Sequence, residues 1–581
     1  MDQSVDVVDH VSSLLDGEKY KEALTVAIDE KYAKQFKDNC WDLISVIVSK
    51  VNNDTNTLKP SLYGTCEQFL SIIVQTAVPE EALLEFIEQI EVSKNDAQFS
   101  IILQPLQQLL LKLTLKRGRS LEWCLNAIST YIDNIPVPEY ELEGKQRLLM
   151  ECDDNIRRIN KVYSLLPPFY CPFISEVMND DKCRPKQIIS AFLISLFGKP
   201  LVYVDVDPDT NKQSETRACT KFLIADICTL LKNPLKFLAY IEKCSNESEK
   251  TKPKHEKYDE NEEIDPYDHK DKVNMTTLSG LFYALLSGHF EIPDTALPLV
   301  YSPEYLVCTV LLCGVHLLSF TEYGPLSKGI YLCKEMLKKY PDNIPSSKLT
   351  MVHYNLCKNL MTIAIYSMYE SLRKESVVIL GTLVNKFDYK GRCSLIKYMI
   401  DNANHSGMIG FAISLYKNSL DAAFKEPEMP ATFKDSQLMA MLKKICHLPH
   451  GAESDLVELA DQIITSLNLL RYLVIKDTGN VTNFKNNFEA IETSYLEPLR
   501  VALKMSKAHY EVKLKDIEEA KNNPKENINV SINVGGNVLD TIPDKNKKEI
   551  ILSALNAFHL IEGLVARLSE CINLNKQKAS V

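Results

Sequence analysis

The feature that most constrains the fold is a helical periodicity of apolar residues that runs along almost the whole chain. The segment PEEALLEFIEQIE, 79–91, opens with the proline and acids that suit a helix N-terminus, and its apolar residues recur at steps of three and four. Residues 349–387 predict two helices or more, and 547–572 predict one long amphipathic helix. Glycine, at 19 of 581 residues, is well below its usual share of about 7%. Because tight hairpin turns need glycine and helices avoid it, the chain is predicted to be all-α.

The predicted helices are about 12–20 residues long with short connections, which is typical of antiparallel helix pairs stacked in a row. No fixed period is visible, so the repeats are expected to be degenerate. Residues 1–242 and 275–581 are predicted as an N-terminal and a C-terminal helical-repeat region. Between them, 243–274 is dense in both charge signs and poor in aliphatic residues, which predicts a flexible loop. A second flexible connection is expected at 521–548, where INVSINVGGNV leaves a small hairpin as an alternative.

Charge and cysteine usage limit the partners and the compartment. The net charge of −11 offers no basic footprint for a phosphate backbone, so no nucleic-acid partner is expected. The 16 cysteines include no CxxC pair, and many lie in apolar helical contexts. Buried free thiols in a reducing compartment are expected, which favours a cytoplasmic location, with the nucleus as an alternative. The longest uncharged run in the middle of the chain, 305–320, is shorter than the about 20 residues of a membrane span, so no membrane segment is expected.

No sequence motif points to catalysis. HExxH and GxSxG are absent, and no spacing of histidines and acids suggests a catalytic set. The segment 205–216 begins like a calcium loop, but Thr210 stands where the turn needs glycine and Thr216 where a bidentate glutamate belongs. His353 and Cys357 would supply only two ligands for zinc. The chain is therefore expected not to be an enzyme and to need neither metal nor cofactor.

Protein recognition is the class of function that remains. The first candidate segment for it is GAESDLVELADQIITSLNLLRYLVIKD, 451–477. It is predicted as one helix that opens on a capping box of Asp455 and Glu458. The residues expected on its buried stripe follow steps of three and four: Leu456, Leu459, Ile463, Leu467, Leu470 and Val474.

Basic and aromatic residues border this stripe. Arg471 lies at its edge beside Tyr472, and Lys476 lies further round the helix. The two cations either pair with acids such as Asp477 or rim a protein-binding groove. An arginine beside an aromatic residue is a composition that interface hot spots favour.

The segment LKMSKAHYEVKL, 503–514, is the second candidate. Three of its residues are expected to face the core: Met505, Ala508 and Val512. Three others are expected to point elsewhere, onto a binding surface or simply into solvent: Lys507, His509 and Tyr510. A third candidate is NHSG, 404–407, between two predicted helices, where Asn404 is expected to end or cap a helix.

These segments resemble the glomulin family. The most specific matches lie in the C-terminal half, at NHSG (404–407), LPHGAESDL (448–456), SLNLLRYLVIKD (466–477), EPLRVALKMSKAHYE (497–511) and SALNAFHLIEGLVARL (553–568). Weaker similarity extends in order through the N-terminal half, at 38–48, 79–91, 103–113, 134–139 and 299–306. The charged segment 243–272 and the connection 521–548 do not share it.

The resemblance implies an all-α, HEAT-like helical-repeat solenoid without catalytic residues. It implies that the C-terminal repeats bind the zinc-bearing RING subunit of cullin–RING ubiquitin ligases and cover the face that recruits the ubiquitin-conjugating enzyme. It also implies an FKBP-type prolyl isomerase as a partner. A RING's recruiting face is partly apolar with basic groups, so an apolar cover with an acidic, hydrogen-bonding edge is expected. The candidate contact residues are Asn404, His405, Glu453, Asp455, Arg471, Tyr472, Lys476, Lys507, His509 and Tyr510.

A general helical adaptor is the alternative function. Such a protein would bind an immunophilin or other proteins, chiefly through its N-terminal half, and would leave ubiquitin transfer unchanged. The chain is expected to be a monomer in either case.

Overall fold

The computed structural model describes residues 6–113, 117–138, 144–178, 184–206, 214–249, 273–522, 533–534, 537–538 and 544–579. The chain divides into two compact units, Met1–Met336 and Leu337–Val581. The sequence instead predicts a boundary loop at 243–274. Residues 243–249 of that segment are helical, and 250–272 lie outside the described residues, so this loop stays a prediction.

The first unit is built from helices in close succession. They are α1 (Val7–Asp16), α2 (Tyr20–Ile28), α3 (Ala33–Asn39), α4 (Leu43–Ser49), α5 (Thr55–Leu58), α6 (Pro60–Thr76), α7 (Pro79–Glu91), α8 (Asp96–Lys112), α9 (Arg117–Asp133), α10 (Asp154–Val177), α11 (Arg184–Ser195), α12 (Glu215–Leu231), α13 (Leu238–Glu249), α14 (Met275–Leu286), α15 (Pro303–Leu317) and α16 (Tyr323–Lys339), within which the unit ends.

The second unit continues the same pattern. Its helices are α17 (Met351–Tyr366), α18 (Glu370–Asn385), α19 (Tyr389–Asn402), α20 (Ser406–Ala423), α21 (Asp435–Ile445), α22 (Ala460–Lys476), α23 (Phe488–Ile491), α24 (Glu497–Asn522) and α25 (Asp544–Ala579). Strands β1 (Asn533–Val534) and β2 (Asn537–Val538) form a small antiparallel pair. Among the described residues, the remaining β-structure is one isolated bridge between Ile344 and Phe387.

Local sequence explains where these helices begin. Pro60, Pro79 and Pro303 each open a helix, where the missing amide proton costs nothing. Other helices begin after a polar residue whose side chain accepts a hydrogen bond from a first-turn amide, as Asn95 and Ser214 do. Apolar residues then recur on one side of most of the described helices and are buried against neighbouring helices, whereas α14 is buried on all sides from Thr277 to Leu286. The predicted all-α class of helical repeats is confirmed.

One local prediction is wrong. The helix predicted over 451–477 begins only at Ala460, and a 3₁₀ turn, Gly451–Glu453, precedes it. Asp455 does cap backbone amides, since its Oδ1 accepts from Val457 N at 2.9 Å and Glu458 N at 3.3 Å, but it caps a turn before the helix. In the connection 521–548, β1 and β2 form the small hairpin that the sequence leaves as an alternative. Residues 523–532 and 539–543 lie outside the described residues, so the flexibility expected for this connection stays a prediction.

The last four long helices of the second unit position the candidate surface. Helices α20 and α22 run side by side in one direction, because Gln462 N donates to Ser406 Oγ at their starts and Tyr472 bonds to Asp421 near their ends. Helices α24 and α25 form an antiparallel pair. Arg500 Nη2 lies 3.2 Å from Ser569 Oγ, and Lys507 Nζ lies 2.7 Å from Glu562 Oε2.

Helix α25 contains a segment, Lys548–Leu574, that is long and apolar enough to cross a membrane, with a mean hydropathy of 1.5. Its most apolar side is not free, since Ile551, Phe558, Ile561 and Leu568 are buried where α25 packs on α22 and α24. Of the most apolar window of this segment, 39% is buried, so α25 packs on one side and exposes apolar residues such as Leu560 elsewhere.

One buried tyrosine gives a direct test of the packing in the second unit. Tyr416 is fully buried, and its hydroxyl has no hydrogen-bond partner within the described part of the chain. A buried hydroxyl without a partner has lost its hydrogen bonds to water and has gained none from the protein, which lowers the stability of the folded state. We expect Tyr416→Phe to raise the free energy of unfolding by about 1 kcal/mol, measured by urea denaturation.

The matched control is Tyr495, which is also fully buried but shares a 2.6 Å hydrogen bond with Ser466 Oγ. Tyr495→Phe should lower the free energy of unfolding by about 1 kcal/mol. Equal losses in both variants would show that the Tyr416 hydroxyl has a partner after all.

Candidate protein-binding surface

The structure brings several predicted residues together where the turn Gly451–Glu453 packs against α24. Glu453 and Asp455 are exposed, and the Asp455 carboxylate lies close enough to Tyr510 to raise the pKa of its hydroxyl, a smaller effect than that of burial. The Tyr510 ring packs edge-on against Phe558 of α25, with ring centroids 5.3 Å apart. His509 is exposed beside it. We call Glu453, Asp455, His509 and Tyr510 the acidic–aromatic edge.

Lys507 has a structural role in this region. Its Nζ forms the ion pair with Glu562, and its side chain is mostly covered. The hydrogen bond from Lys507 lowers the pKa of the Glu562 carboxyl. This pair therefore helps to hold α24 against α25, and Lys507 is less available to a partner than the sequence predicts.

The outer face of α24 contradicts the sequence prediction. Val501, Met505 and Val512 are 48%, 54% and 56% exposed, and Ala508 is exposed as well. They are spaced i, i+4, i+7 and i+11, so they form one line along the helix. The prediction that Met505, Ala508 and Val512 face the core is wrong. We call these four residues the α24 stripe.

The physical reason is that α24 has two rows of apolar residues along its length, of which the α24 stripe is one. The second consists of Leu499, Leu503 and Ile517, which are buried. This buried line and the ion-paired Lys507 share the side of α24 that packs on α25. Sequence spacing alone does not distinguish the covered line from the exposed one, because both follow steps of three and four.

Tyr472 and Lys476 lie away from the acidic–aromatic edge, near the C-terminal end of α22. The Tyr472 hydroxyl donates to Asp421 Oδ1 at 2.6 Å, and Lys417 Nζ lies 5.5 Å from the ring centroid. That hydrogen bond, followed by one from Lys425, lowers the pKa of Asp421. Lys476 is exposed. Glu453 and Asp455 precede α22, whereas Tyr472 is about 18 Å along that helix from its start at Ala460, so the ten predicted residues do not form one cluster.

Arg471 is half-buried on α22, and its Nε is buried without a hydrogen-bond partner among the described residues. Asp477, the acid proposed to pair with these cations, has another role. It is buried, and its carboxylate accepts hydrogen bonds from Val481 N at 2.8 Å and from Thr482 N at 3.2 Å. Asp477 therefore orders the loop after α22.

Asn404 and His405 lie at the start of α20. His405, not Asn404, is the helix cap, because its Nδ1 accepts from Gly407 N at 3.1 Å. Both side chains are exposed. Asn404 also lines a cavity of about 500 Å³, together with the ends of α19 and α21 and the start of α22. Glu458, which follows Asp455 by three positions in the sequence, lines the same cavity.

The described part of the chain holds no group of side chains suited to a metal ion. No three histidine, cysteine, aspartate or glutamate side chains there are grouped so that they could hold a metal ion. His353 is buried, and its ring nitrogens contact Tyr340 at 3.2 Å and the Thr350 backbone at 3.1 Å. Burial lowers the pKa of His353 to about 4, so the ring is neutral at physiological pH. His353 is thus a packed core histidine.

Comparison with known proteins supports the sequence resemblance. Residues 297–542 match the family described as "Uncharacterised protein family, YAP/Alf4/glomulin". Mouse glomulin is 27% identical over 571 residues, covering 96% of this chain and 91% of the mouse protein. Human glomulin is 28% identical over 572 residues with the same coverage. A crystal structure of importin beta aligns with 97% of this chain and 67% of its own, at 10% identity, but its TM-score of 0.21 is too low to support a conclusion. The resemblance to the glomulin family predicted from the sequence is confirmed, and it extends over nearly the whole chain.

Proposed function

We propose that this protein is a non-catalytic inhibitor of cullin–RING ubiquitin ligases. Its C-terminal helical repeats bind the RING subunit and sterically block recruitment of the ubiquitin-conjugating enzyme. The observation that carries the proposal is the similarity to glomulin over 96% of the chain, with the most specific motifs in the second unit. The proposed site of action is cytoplasmic, with the nucleus as an alternative, and the proposed inhibitor acts as a monomer.

The surface of the second unit is suited to such a role. An inhibitor of this kind needs no reactive group, only an area large enough to exclude a competitor. A standard interface buries about 800 Å² on each partner, with an apolar centre and a polar rim. The α24 stripe supplies apolar area, and the acidic–aromatic edge supplies carboxylates and hydrogen-bonding groups beside it. These features are consistent with a partner that is apolar with basic groups.

The proposal predicts competition. The full chain should bind a recombinant cullin–RING complex, displace labelled ubiquitin-conjugating enzyme from it, and slow ubiquitin-chain formation in proportion to the RING sites occupied. Binding and displacement can be followed by fluorescence anisotropy, and chain formation by gel.

The control for this experiment is a ligase whose RING domain belongs to another family, which should be unaffected. A ternary complex, in which this chain and the conjugating enzyme occupy one RING together, would contradict the steric mechanism. Absence of any binding to the cullin–RING complex would remove the proposed function altogether.

A second candidate function, that of a helical adaptor, is favoured by a groove in the first unit. The groove has a volume of about 590 Å³ and lies between α10 and α12, with apolar walls that include Leu166, Pro167 and Phe222. Phe222 is largely exposed at its rim. Grooves of this size take peptide side chains or small ligands. An adaptor, for example for an FKBP-type prolyl isomerase, would leave ubiquitin-chain formation unchanged in the competition experiment.

A further inference from the structure

The groove of the first unit combines apolar walls with a carboxylate that has no cationic partner. It lies between α10 and α12, and we call it the α10–α12 groove. The two helices run side by side in the same direction. Near one end Thr216 Oγ1 donates to Asn160 Oδ1 at 2.9 Å, and near the other the Tyr170 hydroxyl donates to Asp226 Oδ2 at 2.7 Å. The groove therefore extends for about 15 Å between these two bonds, given the rise of about 1.5 Å per helical residue.

Asp226 gives one end of the groove a negative charge. Its carboxylate is half-buried, and no lysine or arginine of the described chain forms an ion pair with it. Burial raises the pKa of Asp226, although the hydrogen bond from Tyr170 opposes this shift, so the charged form is held in an unfavourable place. The other charged residues that line the groove, Arg157, Lys161 and Glu215, lie toward its opposite end, about 13 Å or more away along the helices. A cation supplied by a partner would therefore compensate Asp226.

The wall of the groove next to Asp226 is apolar and aromatic. Phe222 precedes Asp226 by four positions on α12, so the two side chains share one face of the helix. Phe222 is 66% exposed, and Leu166 and Pro167 of α10 also line the groove. An exposed aromatic side chain among apolar groups is typical of a protein interface. Because an extended chain advances about 3.3 Å per residue, the length of the groove suits about four to five residues of a peptide.

We infer that the α10–α12 groove binds an extended segment of a partner protein in which a lysine or arginine is flanked by apolar side chains. The apolar side chains pack along Phe222, Leu166 and Pro167, and the basic group reaches Asp226. A hydrogen bond between two charged groups is stronger at a partly buried carboxylate than in water. The negative charge selects a basic segment over an acidic one, and the length of the groove favours a peptide over a small ligand. This inference goes beyond ligase inhibition and gives a partner chemistry to the adaptor candidate.

The test uses three pools of fluorescein-labelled peptides of about seven residues, enough to span the groove. Each peptide has serine at both ends, and leucine, valine or proline at the positions beside a central residue. That central residue is lysine, norleucine or glutamate. Binding to the full chain is measured by fluorescence anisotropy. The lysine pool is expected to bind at least about tenfold more tightly than the norleucine pool, and the glutamate pool more weakly than both.

Variants then locate the contact. In Asp226→Asn the charge is lost, but the amide oxygen can still accept from Tyr170. This variant should bind the lysine pool at least about tenfold more weakly and the norleucine pool as before. Phe222→Ser should weaken both pools at least about fivefold, because the apolar contact is lost. Tyr366→Ser is the matched control, since Tyr366 is 70% exposed on α17, outside the groove, and it should change neither.

The outcomes separate this inference from ligase inhibition. No binding of any pool, or equal binding of the lysine and norleucine pools, would overturn the inference, and both results are read on the unmodified chain without any variant. A preference for lysine that persists in Asp226→Asn would also overturn it, once melting temperatures show that the variant is folded. Both groove variants should bind a cullin–RING complex as the unmodified chain does. Failure of the unmodified chain to bind that complex would remove the proposed function and leave the groove as a peptide site.

Discussion

Replacing Lys328 by methionine is expected to lower the free energy of unfolding of the first unit by about 3 kcal/mol, because each buried carbonyl left without a donor costs about 1–3 kcal/mol. Lys328 is only 4% exposed, and its ammonium group is surrounded by backbone carbonyls of one short segment. It donates to Leu201 O at 3.3 Å, to Val202 O at 2.9 Å and to Val204 O. Methionine fills similar volume but donates nothing, so three buried carbonyls would each lose a donor.

The stability that Lys328 contributes also depends on pH. Burial lowers the pKa of Lys328 to about 8, although the nearby Asp205 carboxylate opposes this shift. Because the folded pKa is below the ordinary value of 10.5, the unfolded chain binds more protons than the folded chain between about pH 8 and pH 10.5. Lys328 therefore contributes more stability as pH rises through that range. The difference in stability between the unmodified protein and Lys328→Met should widen accordingly.

The measurement is chemical denaturation at several pH values, with Lys221→Met as the matched control. Lys221 forms a 3.4 Å ion pair with Glu291, but the two side chains are 54% and 91% exposed. Its loss should change the free energy of unfolding by less than about 1 kcal/mol. If Lys328→Met were as mild as Lys221→Met, the three carbonyl contacts would not be important for the stability of the first unit.

The sequence predicts the helices well because helix signals are local. Proline and acids at 79–81 start α7 where the pattern places it, and residues 349–387 do form two helices, α17 and α18. The segment KPLVYVDVDPD, 199–209, resembles a strand in composition, yet its residues Leu201–Tyr203 form a 3₁₀ turn. The carbonyls here bond to Lys328, which is 124–127 positions away in the sequence. A hydrogen-bond partner that is so distant in the sequence gives no signal within the sequence of the segment itself.

The candidate surface is predicted less well, for a related reason. Motif similarity directs attention to the C-terminal half of the chain, but the orientation of α24 depends on which of its two lines of apolar residues α25 covers. Ile551 and Phe558, the residues that fix this, lie beyond the segment 523–543. Asp477 shows the same limit, because its bonds to Val481 and Thr482 depend on how the following loop turns. Residue spacing on one helix does not contain this information.

Replacing Gly324 by alanine is the second change expected to have a large effect. Gly324 is the second residue of α16, and a Cβ added there would overlap the carbonyl oxygen of Tyr203. Gly280 of α14 approaches the same segment, since its added Cβ would overlap the carbonyl oxygen of Phe197. These two glycines and Lys328 thus hold 197–204 closely between α14 and α16. The obstacle at Gly324 is backbone, so it cannot move aside by changing a rotamer.

We expect Gly324→Ala to lower the free energy of unfolding by about 3 kcal/mol, the upper part of the usual range for overpacking. The control is Gly64→Ala in α6, where an added Cβ meets nothing within 4 Å. There alanine should raise stability by about 0.5–1 kcal/mol, because it restricts the unfolded chain and favours helix. Opposite signs in the two variants, measured by denaturation under one condition, would establish that close packing of 197–204 on α16 stabilises the unit. A gain of stability at Gly324 would mean that the segment can move away from α16 at little cost.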